Sequence, residues 1–158
     1  MEIREARKDD WLAVAALLAE LGRPDVLAEA DADMHRGAWE EYLERPDTVA
    51  LVAEEEGAVV GFVDLEYRER LNFSAPQAWI PDLVVTERAR SRGAGKALLE
   101  ACEERARTRG CFALSLESAN WRERAHAFYE RQGMQHVSAS FAKLLQEGEW
   151  PPQPGKER

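Results

Sequence analysis

The stretch that decides the fold runs from Asp82 to Leu99 and reads Asp-Leu-Val-Val-Thr-Glu-Arg-Ala-Arg-Ser-Arg-Gly-Ala-Gly-Lys-Ala-Leu-Leu. Its apolar run 83–85 predicts a short buried strand. Gly93 and Gly95 then lead into apolar residues at helical spacing, which predicts a helix that reaches Arg109. A strand that enters a glycine turn at a helix N-terminus leaves backbone N–H groups unpaired and favours a bound anion. The stretch therefore predicts a phosphate-binding turn.

The turn is basic although the chain as a whole is acidic, with a net charge of −9. Four cationic side chains surround the glycines, so the cluster does not reflect background composition: Arg88, Arg90, Arg92 and Lys96. The spacing Arg90-x-x-Gly93-x-Gly95 is neither the dinucleotide fingerprint G-x-G-x-x-G nor the P-loop G-x-x-x-x-G-K-[S/T]. The turn therefore belongs to neither of the two common phosphate-binding motifs.

A second motif lies at 120–134 and reads Asn-Trp-Arg-Glu-Arg-Ala-His-Ala-Phe-Tyr-Glu-Arg-Gln-Gly-Met. With the glycine turn, this segment resembles the GNAT superfamily of N-acetyltransferases, and the resemblance extends from Ile3 to Leu145. In that family the turn cradles the pyrophosphate of acetyl-coenzyme A, and the pantetheine arm adds to the central strand like a further strand. The resemblance implies an acetyl-coenzyme A-dependent N-acetyltransferase.

The resemblance also implies the cosubstrate-binding residues, which are Leu83, Val84, Val85, Arg90, Ser91, Arg92, Gly93, Ala94, Gly95, Lys96, Asn120 and Tyr129. Tyr129 is the candidate general acid that protonates the departing thiolate. Asn120 is either a cosubstrate contact or the N-cap of the following helix. The general base is open between Asp82, Glu66 and Glu117, because many family members have an acidic residue where this chain has Pro81. No metal is predicted.

The apolar patterns predict one α/β (α+β) domain over residues 1–145 with the element order β-α-α-β-β-β-α-β-α-β-β. A mixed, mostly antiparallel sheet of about seven strands and about four flanking helices is expected from this order and from the family resemblance. The predicted strands are 3–6, 48–53, 58–67, 79–85, 111–117, 134–137 and 140–145. Pro81 predicts an edge or a bulge within 79–85. Residues 146–158 are predicted to form a loose tail.

Composition limits the function classes. The pI near 4.9 argues against nucleic-acid binding, and no apolar run approaches the roughly 20 residues of a membrane span. The first residues show no signal-peptide pattern, so a cytoplasmic location is expected. Cys102 and Cys111 suit reduced core thiols, and no Cys/His cluster has the spacing of a zinc site.

The predicted reaction is direct transfer of an acetyl group to a primary amine of a small molecule or peptide within a ternary complex. The helix that carries Ala125 to Tyr129 resembles the aminoglycoside and aminoalkylphosphonate acetyltransferase branches, but the acceptor itself stays open. A homodimer is compatible with the resemblance. Two other classes remain as alternatives: a catalytically silent acyl-coenzyme A-binding domain, and a nucleotide-binding interaction module that uses the same turn.

Overall fold

The computed structural model describes residues 1–28 and 30–148. The chain divides into two compact units, Met1–Leu116 and the residues from Glu117 onward. The first unit contains the whole sheet and three helices. Its elements in chain order are β1 Glu2–Glu5, α1 Trp11–Leu21, α2 Ala32–Glu44, β2 Thr48–Glu55, β3 Ala58–Arg68, β4 Gln77–Ile80, β5 Leu83–Val85, α3 Ala94–Thr108 and β6 Ala113–Leu116. The second unit contains α4, Glu123–Arg131.

The sheet of the described residues has six strands and is mostly antiparallel. Its hydrogen-bonded order is β1-β2-β3-β4-β6, and β5 pairs with β3 beside β4. Only the β4–β6 pair is parallel. The predicted fold class, a mixed and mostly antiparallel sheet with about four helices, is confirmed; the sheet has one strand fewer than predicted.

One face of the sheet is covered by α1 and α2. Trp39 of α2 packs between Trp11 of α1 and Phe62 of β3, with ring centroids 5.8 and 6.1 Å apart. These rings belong to a buried core cluster that also includes Val84 of β5 and Val14, which is fully buried on α1. The buried apolar side chains of α1 therefore belong to the face of the helix that covers the sheet.

The opposite face is covered by α3, which contacts β2 and β3. Leu98, Leu99 and Cys102 of α3 are almost fully buried, as the helical spacing predicts. The helix lies very close to β3 at Gly61, because a Cβ at that position would lie 3.0 Å from the Leu98 Cδ1 atom. The close approach fixes the N-terminal part of α3, and with it the glycine turn, against the sheet.

Two predicted strands are wrong. The segments 134–137 and 140–145 are irregular, and several of their apolar side chains are exposed: Val137 by 82%, Phe141 by 94% and Leu145 by 88%. Their residue types favour strands, but a strand also needs a partner to satisfy its backbone, and these segments form no ladder within the described residues. The domain boundary at 145 stays a prediction, because residues 149–158 lie outside the described part of the chain.

No helix in the described ranges is long and apolar enough to cross a lipid bilayer.

Candidate active site

The candidate site begins at the division of the sheet, the place where β3 changes its pairing partner from β5 to β4. Residues 61–63 of β3 pair with β5, whereas residues 66–68 of the same strand pair with β4. Pro81 and Asp82 lie between the two shorter strands. Proline cannot donate a ladder hydrogen bond, so the predicted central strand 79–85 is interrupted as its sequence indicates. The interruption turns β5 into a short strand whose partner is β3.

The outer edge of β5 presents backbone groups that no neighbouring strand within the described residues covers. The Asp64 N–H donates to the Asp82 oxygen at 3.2 Å, and the Thr86 N–H donates to the Val60 oxygen at 2.9 Å. Hydrogen-bonded residues alternate along an antiparallel ladder, so Val84 between them also faces β3. The N–H and C=O groups of Leu83 and Val85 therefore point away from β3, and no strand within the described residues pairs with that edge.

The turn after β5 forms a concave row of N–H groups. Ser91 and Gly93 have positive φ angles of 67° and 87°, and α3 begins directly afterwards at Ala94. Within the ranges 1–28 and 30–148, none of the backbone N–H groups of residues 91–96 has an acceptor. Successive N–H groups of this kind bind anions, and the helix dipole adds to the attraction. A Cβ built on Gly93 meets no protein atom within 4 Å, so the concave side of the turn is open to a ligand.

The cationic side chains of the turn are exposed and weakly held. Arg92 donates to Glu55 at 2.9 Å, and Lys96 lies 3.7 Å from Glu100 in an ion pair on the helix surface. The Arg90 Nε atom lies 3.5 Å from the Val85 oxygen. Exposed pairs of this kind contribute little to stability. The three cations can therefore turn toward a phosphate at small cost.

Glu20 near the C-terminal end of α1 connects that helix to the start of the turn. Its carboxylate accepts from the Thr86 hydroxyl at 3.0 Å and from the Glu87 N–H at 3.3 Å. The sequence analysis does not identify this residue, because the contact joins positions 66 residues apart. Its only local signal is a carboxylate among the apolar residues of α1.

The predicted base candidates Asp82 and Glu66 both lie next to the division of the sheet. Asp82 is already paired, because Arg23 places its Nη2 atom 2.7 Å and its Nε atom 2.8 Å from the Asp82 Oδ1 atom. Glu66 is half-buried on β3, opposite Thr48 of β2 and Trp79 of β4. The third candidate, Glu117, is exposed and belongs to the second unit.

A carboxylate that the sequence analysis does not single out is the most enclosed one at the division. Asp64 of β3 is only 8% exposed. Its Oδ1 atom accepts the Asp82 N–H at 2.8 Å, and its Oδ2 atom accepts the Tyr42 hydroxyl at 3.1 Å. Burial, followed by the negative charge of Asp82, raises the pKa of Asp64 to about 7. The signal in the sequence is an acid that interrupts the otherwise uncharged run 59–65.

One further polar group at this place lacks a partner. The indole Nε1 of Trp79 is buried and finds no acceptor within the described residues, while the Arg68 guanidinium stacks 3.5 Å from the ring centroid. Trp79 lies opposite Glu66 in the β3–β4 ladder, so both side chains share the face of the sheet that α2 covers.

The second unit carries the two remaining predicted residues. Tyr129 of α4 is half-buried, its ring packs edge-on against Phe128 at 5.3 Å, and burial raises its pKa above the ordinary phenol value. Asn120 is exposed in the turn before α4, and the helix N-cap is Arg122. The N-cap interpretation of Asn120 is therefore wrong, and its contact with the cosubstrate stays a prediction.

Comparison with known proteins identifies a family profile and two related proteins, all of them named as acetyltransferases. The profile of the "Acetyltransferase (GNAT) family" matches residues 11–134. The chain is 32% identical over 134 residues to an uncharacterized N-acetyltransferase, YhfO, of Bacillus subtilis (strain 168), a match that covers 84% of this chain and 89% of that protein. It is 31% identical over 144 residues to the aminoalkylphosphonate N-acetyltransferase of Salmonella typhimurium, with 91% of each chain covered.

Solved structures agree on the fold. A putative acetyltransferase from Agrobacterium tumefaciens str. C58 superposes with a TM-score of 0.81 at 24% identity, covering 91% of this chain and 99% of that one. At that identity the structural likeness supports the fold alone, and the sequence matches carry the family.

Proposed function

The chain belongs to the GNAT family of acetyltransferases, and we propose that it transfers the acetyl group of acetyl-coenzyme A directly to a primary amine in a ternary complex. The observation that carries this proposal is the row of unpaired N–H groups at residues 91–96 beside the free edge of β5. An anion cradle and an open strand edge, joined by one short turn, match the two chemically different parts of coenzyme A.

The turn is proposed to bind the pyrophosphate. Its N–H groups and helix dipole supply directed donors, and Arg90, Arg92 and Lys96 supply positive charge at the rim. Gly93 lets a phosphate oxygen approach the backbone, since no side chain occupies the space where its Cβ would lie. Ser91, Ala94 and Gly95 contribute through their main chains.

The free edge of β5 is proposed to bind the pantetheine arm. The amide groups of this arm can add to the edge as a further strand through the backbone groups of Leu83 and Val85. Val84 is expected to contribute through packing, because its main chain faces β3 and its side chain is 5% exposed in the core. An N–H group on this edge, when it points at the thioester oxygen, stabilises the negative charge that develops during attack.

Tyr129 is proposed to donate a proton to the departing thiolate. Its raised pKa keeps the phenol protonated at neutral pH, which is the form that an acid requires. Asn120 is proposed as a contact of the cosubstrate. Of the two base candidates that lie next to the division of the sheet, Asp82 is ion-paired and Glu66 is the less constrained.

The acceptor is proposed to be a small molecule or peptide that carries a primary amine. A thiol-release assay tests this directly: acetyl-coenzyme A is supplied with 2-aminoethylphosphonate, an aminoglycoside, a polyamine and a short peptide in parallel. We expect amine-dependent release of coenzyme A with at least one of them and a mass increase of one acetyl group on the acceptor. Tight binding of acetyl-coenzyme A without transfer to any amine would favour the silent binding domain, and equal competition by ATP would favour the nucleotide-binding module.

A further inference from the structure

Asp64 occupies a special position in the sheet. It lies between the part of β3 that pairs with β5 and the part that pairs with β4. Its own N–H donates to Asp82, and its carboxylate accepts the Asp82 N–H in return. The side chain thus replaces a carbonyl in the ladder at the point where β5 separates from β4, next to the edge proposed to bind the thioester.

The second oxygen of Asp64 connects it to α2. The Tyr42 hydroxyl donates to this oxygen at 3.1 Å, and Tyr42 is half-buried and therefore nearer to the surface than Asp64. Burial, and then the charge of Asp64, raise the pKa of Tyr42 above its ordinary value, so the phenol stays neutral. A neutral hydroxyl that already donates to a carboxylate can receive a proton on its oxygen as it gives up its own.

No cation within the described residues pairs with Asp64. Directly after α2, Arg45 is engaged with Asp47 at 3.1 Å, and in the segment after α1, Arg23 is engaged with Asp82. The other titratable groups that act electrostatically on Asp64 or Tyr42 are Asp82, Glu66 and Cys102, and the uncharged Ala50 of β2 lies opposite Asp64 in the ladder. Asp64 therefore has neutral hydrogen-bond donors and negative neighbours, and its raised pKa lies in the range where a proton acceptor works best at neutral pH.

Resting on the acetyl transfer proposed above, we propose that Asp64 receives the proton that the acceptor amine loses, and that the Tyr42 hydroxyl passes it. As the amine nitrogen bonds to the acetyl carbon, its N–H bond breaks and leaves the electron pair on nitrogen. The proton goes to the Tyr42 oxygen while the Tyr42 proton moves to Asp64 Oδ2. The C–S bond breaks with its electrons on sulfur, and Asp64 later returns the proton to water.

The test compares Asp64→Asn and Tyr42→Phe with a matched control, Asp9→Asn, which removes an exposed carboxylate from the segment before α1. For each protein, kcat/KM is measured between pH 5.5 and 9 with whichever amine of the panel above the unaltered chain acetylates fastest. Calorimetry with acetyl-coenzyme A measures binding separately. Carbon-13 NMR of the aspartate carboxyl carbons follows the titration of Asp64 in the protein alone.

We expect the unaltered chain to lose kcat/KM as the pH falls through about 7, together with titration of the Asp64 carbon in the same range. Asp64→Asn should lower kcat/KM about 100-fold at pH 8 and abolish that decline, with acetyl-coenzyme A affinity unchanged. Tyr42→Phe should lower it about 10-fold and keep the decline, because water can replace the hydroxyl. Asp9→Asn should match the unaltered chain.

Two results would overturn the inference while leaving the proposed function intact. One is an Asp64→Asn protein with an unchanged pH profile, and the other is a loss of rate fully explained by weaker acetyl-coenzyme A binding. A chain that binds no acetyl-coenzyme A and acetylates no amine would instead overturn the proposed function, and this inference with it.

Discussion

Two aspartates, Asp10 before α1 and Asp64 within β3, are equally enclosed and differ in their partners. Asp10 and Asp64 are each 8% exposed. Asp10 meets the Arg4 guanidinium through two contacts of 2.8 and 2.9 Å, and Glu54 accepts from the same arginine. This hydrogen bonding lowers the pKa of Asp10, whereas Asp64, with neutral donors and Asp82 nearby, has its pKa raised to about 7.

The difference shows that the counterion, rather than burial, separates a structural carboxylate from one suited to chemistry. Beside β1 and β2 the Arg4 cation is matched by Asp10 and Glu54, and the two strands pair with each other along residues 2–5 and 51–54. At the division between β4 and β5 a strand edge, a row of N–H groups and a carboxylate all lack their usual partners. Unpaired groups of several kinds at one place are typical of a functional site.

The largest effect is expected from breaking the ion pair between Asp10 and Arg4. Asp10→Asn places an amide N–H against the Arg4 guanidinium and leaves that cation, which is about as buried as Asp10, with only Glu54. The free energy of unfolding at pH 7 should fall by about 3 kcal/mol. Denaturant unfolding measures this loss, and acetyl-coenzyme A affinity at 25 °C should not change in the folded protein. A weaker acetyl-coenzyme A affinity would mean that the Asp10–Arg4 ion pair is coupled to the proposed cosubstrate site.

The next largest effect is expected at Tyr129, which lies on α4 in the second unit. Tyr129→Phe keeps the ring that packs on Phe128 and removes the hydroxyl. We expect kcat to fall about 100-fold with little change in acetyl-coenzyme A affinity. Tyr67→Phe is the matched control, since Tyr67 is also a half-buried tyrosine with a pKa raised by burial. A normal kcat in Tyr129→Phe would remove Tyr129 from the mechanism.

A smaller effect on stability, with the opposite sign, is expected at Asp64. Because the pKa of Asp64 is higher in the folded chain than in the unfolded one, the folded state binds the proton more readily. Ionisation of Asp64 therefore lowers stability as the pH rises from about 4 to about 7, whereas Asp10, with its lowered pKa, adds stability that is lost as the pH falls through its folded value.

Asp64→Asn removes the buried charge at the cost of an altered hydrogen bond to Tyr42, so it should stabilise the chain at pH 8 by about 1–2 kcal/mol. The gain should disappear near pH 4, where Asp64 is neutral. Unfolding experiments at both pH values check the sign. A loss of stability at pH 8 would show that the carboxylate stabilises the division of the sheet.

The smallest effect is expected at two glycines, and comparing them distinguishes backbone strain from contact with the ligand. Gly93 and Gly110 lie at opposite ends of α3 with φ angles of 87° and 80°, and a Cβ at either one meets no atom within 4 Å. Alanine at each position should cost about 1 kcal/mol of stability. Only Gly93→Ala should weaken acetyl-coenzyme A binding, by about 10-fold, and calorimetry on both variants checks this. Equal loss at Gly110 would assign the effect to α3 as a whole.

The predictable part of this molecule is local. The strand 83–85, the glycine turn and the start of α3 follow from residue types within one short stretch, and Pro81 indicates the break before it. The pairing partner of each strand segment cannot be predicted in this way, because register depends on contacts between residues that are far apart in the sequence. Asp64 becomes notable only when β3 is known to change partners beside it and Tyr42 is known to reach it from α2.

The errors have the same origin. Residues 134–145 include apolar side chains such as Val137 and Phe141, which favour strands, yet strand formation requires an edge with which to pair. The ion pair between Arg23 and Asp82, which occupies one predicted base, joins positions 59 apart in sequence. Sequence patterns identify which residues can serve in a site, and the tertiary contacts decide which of them are free to do so.

The central claim is that acetyl-coenzyme A lies along the edge of β5 and in the turn that follows it. Amide hydrogen exchange followed by NMR, with and without saturating acetyl-coenzyme A, tests it residue by residue. We predict new protection at Leu83, Val85 and residues 91–96, which lack acceptors, and no change at Val84, which already faces β3. Absence of protection at these amides, or protection confined to β1 and β2, would contradict the account.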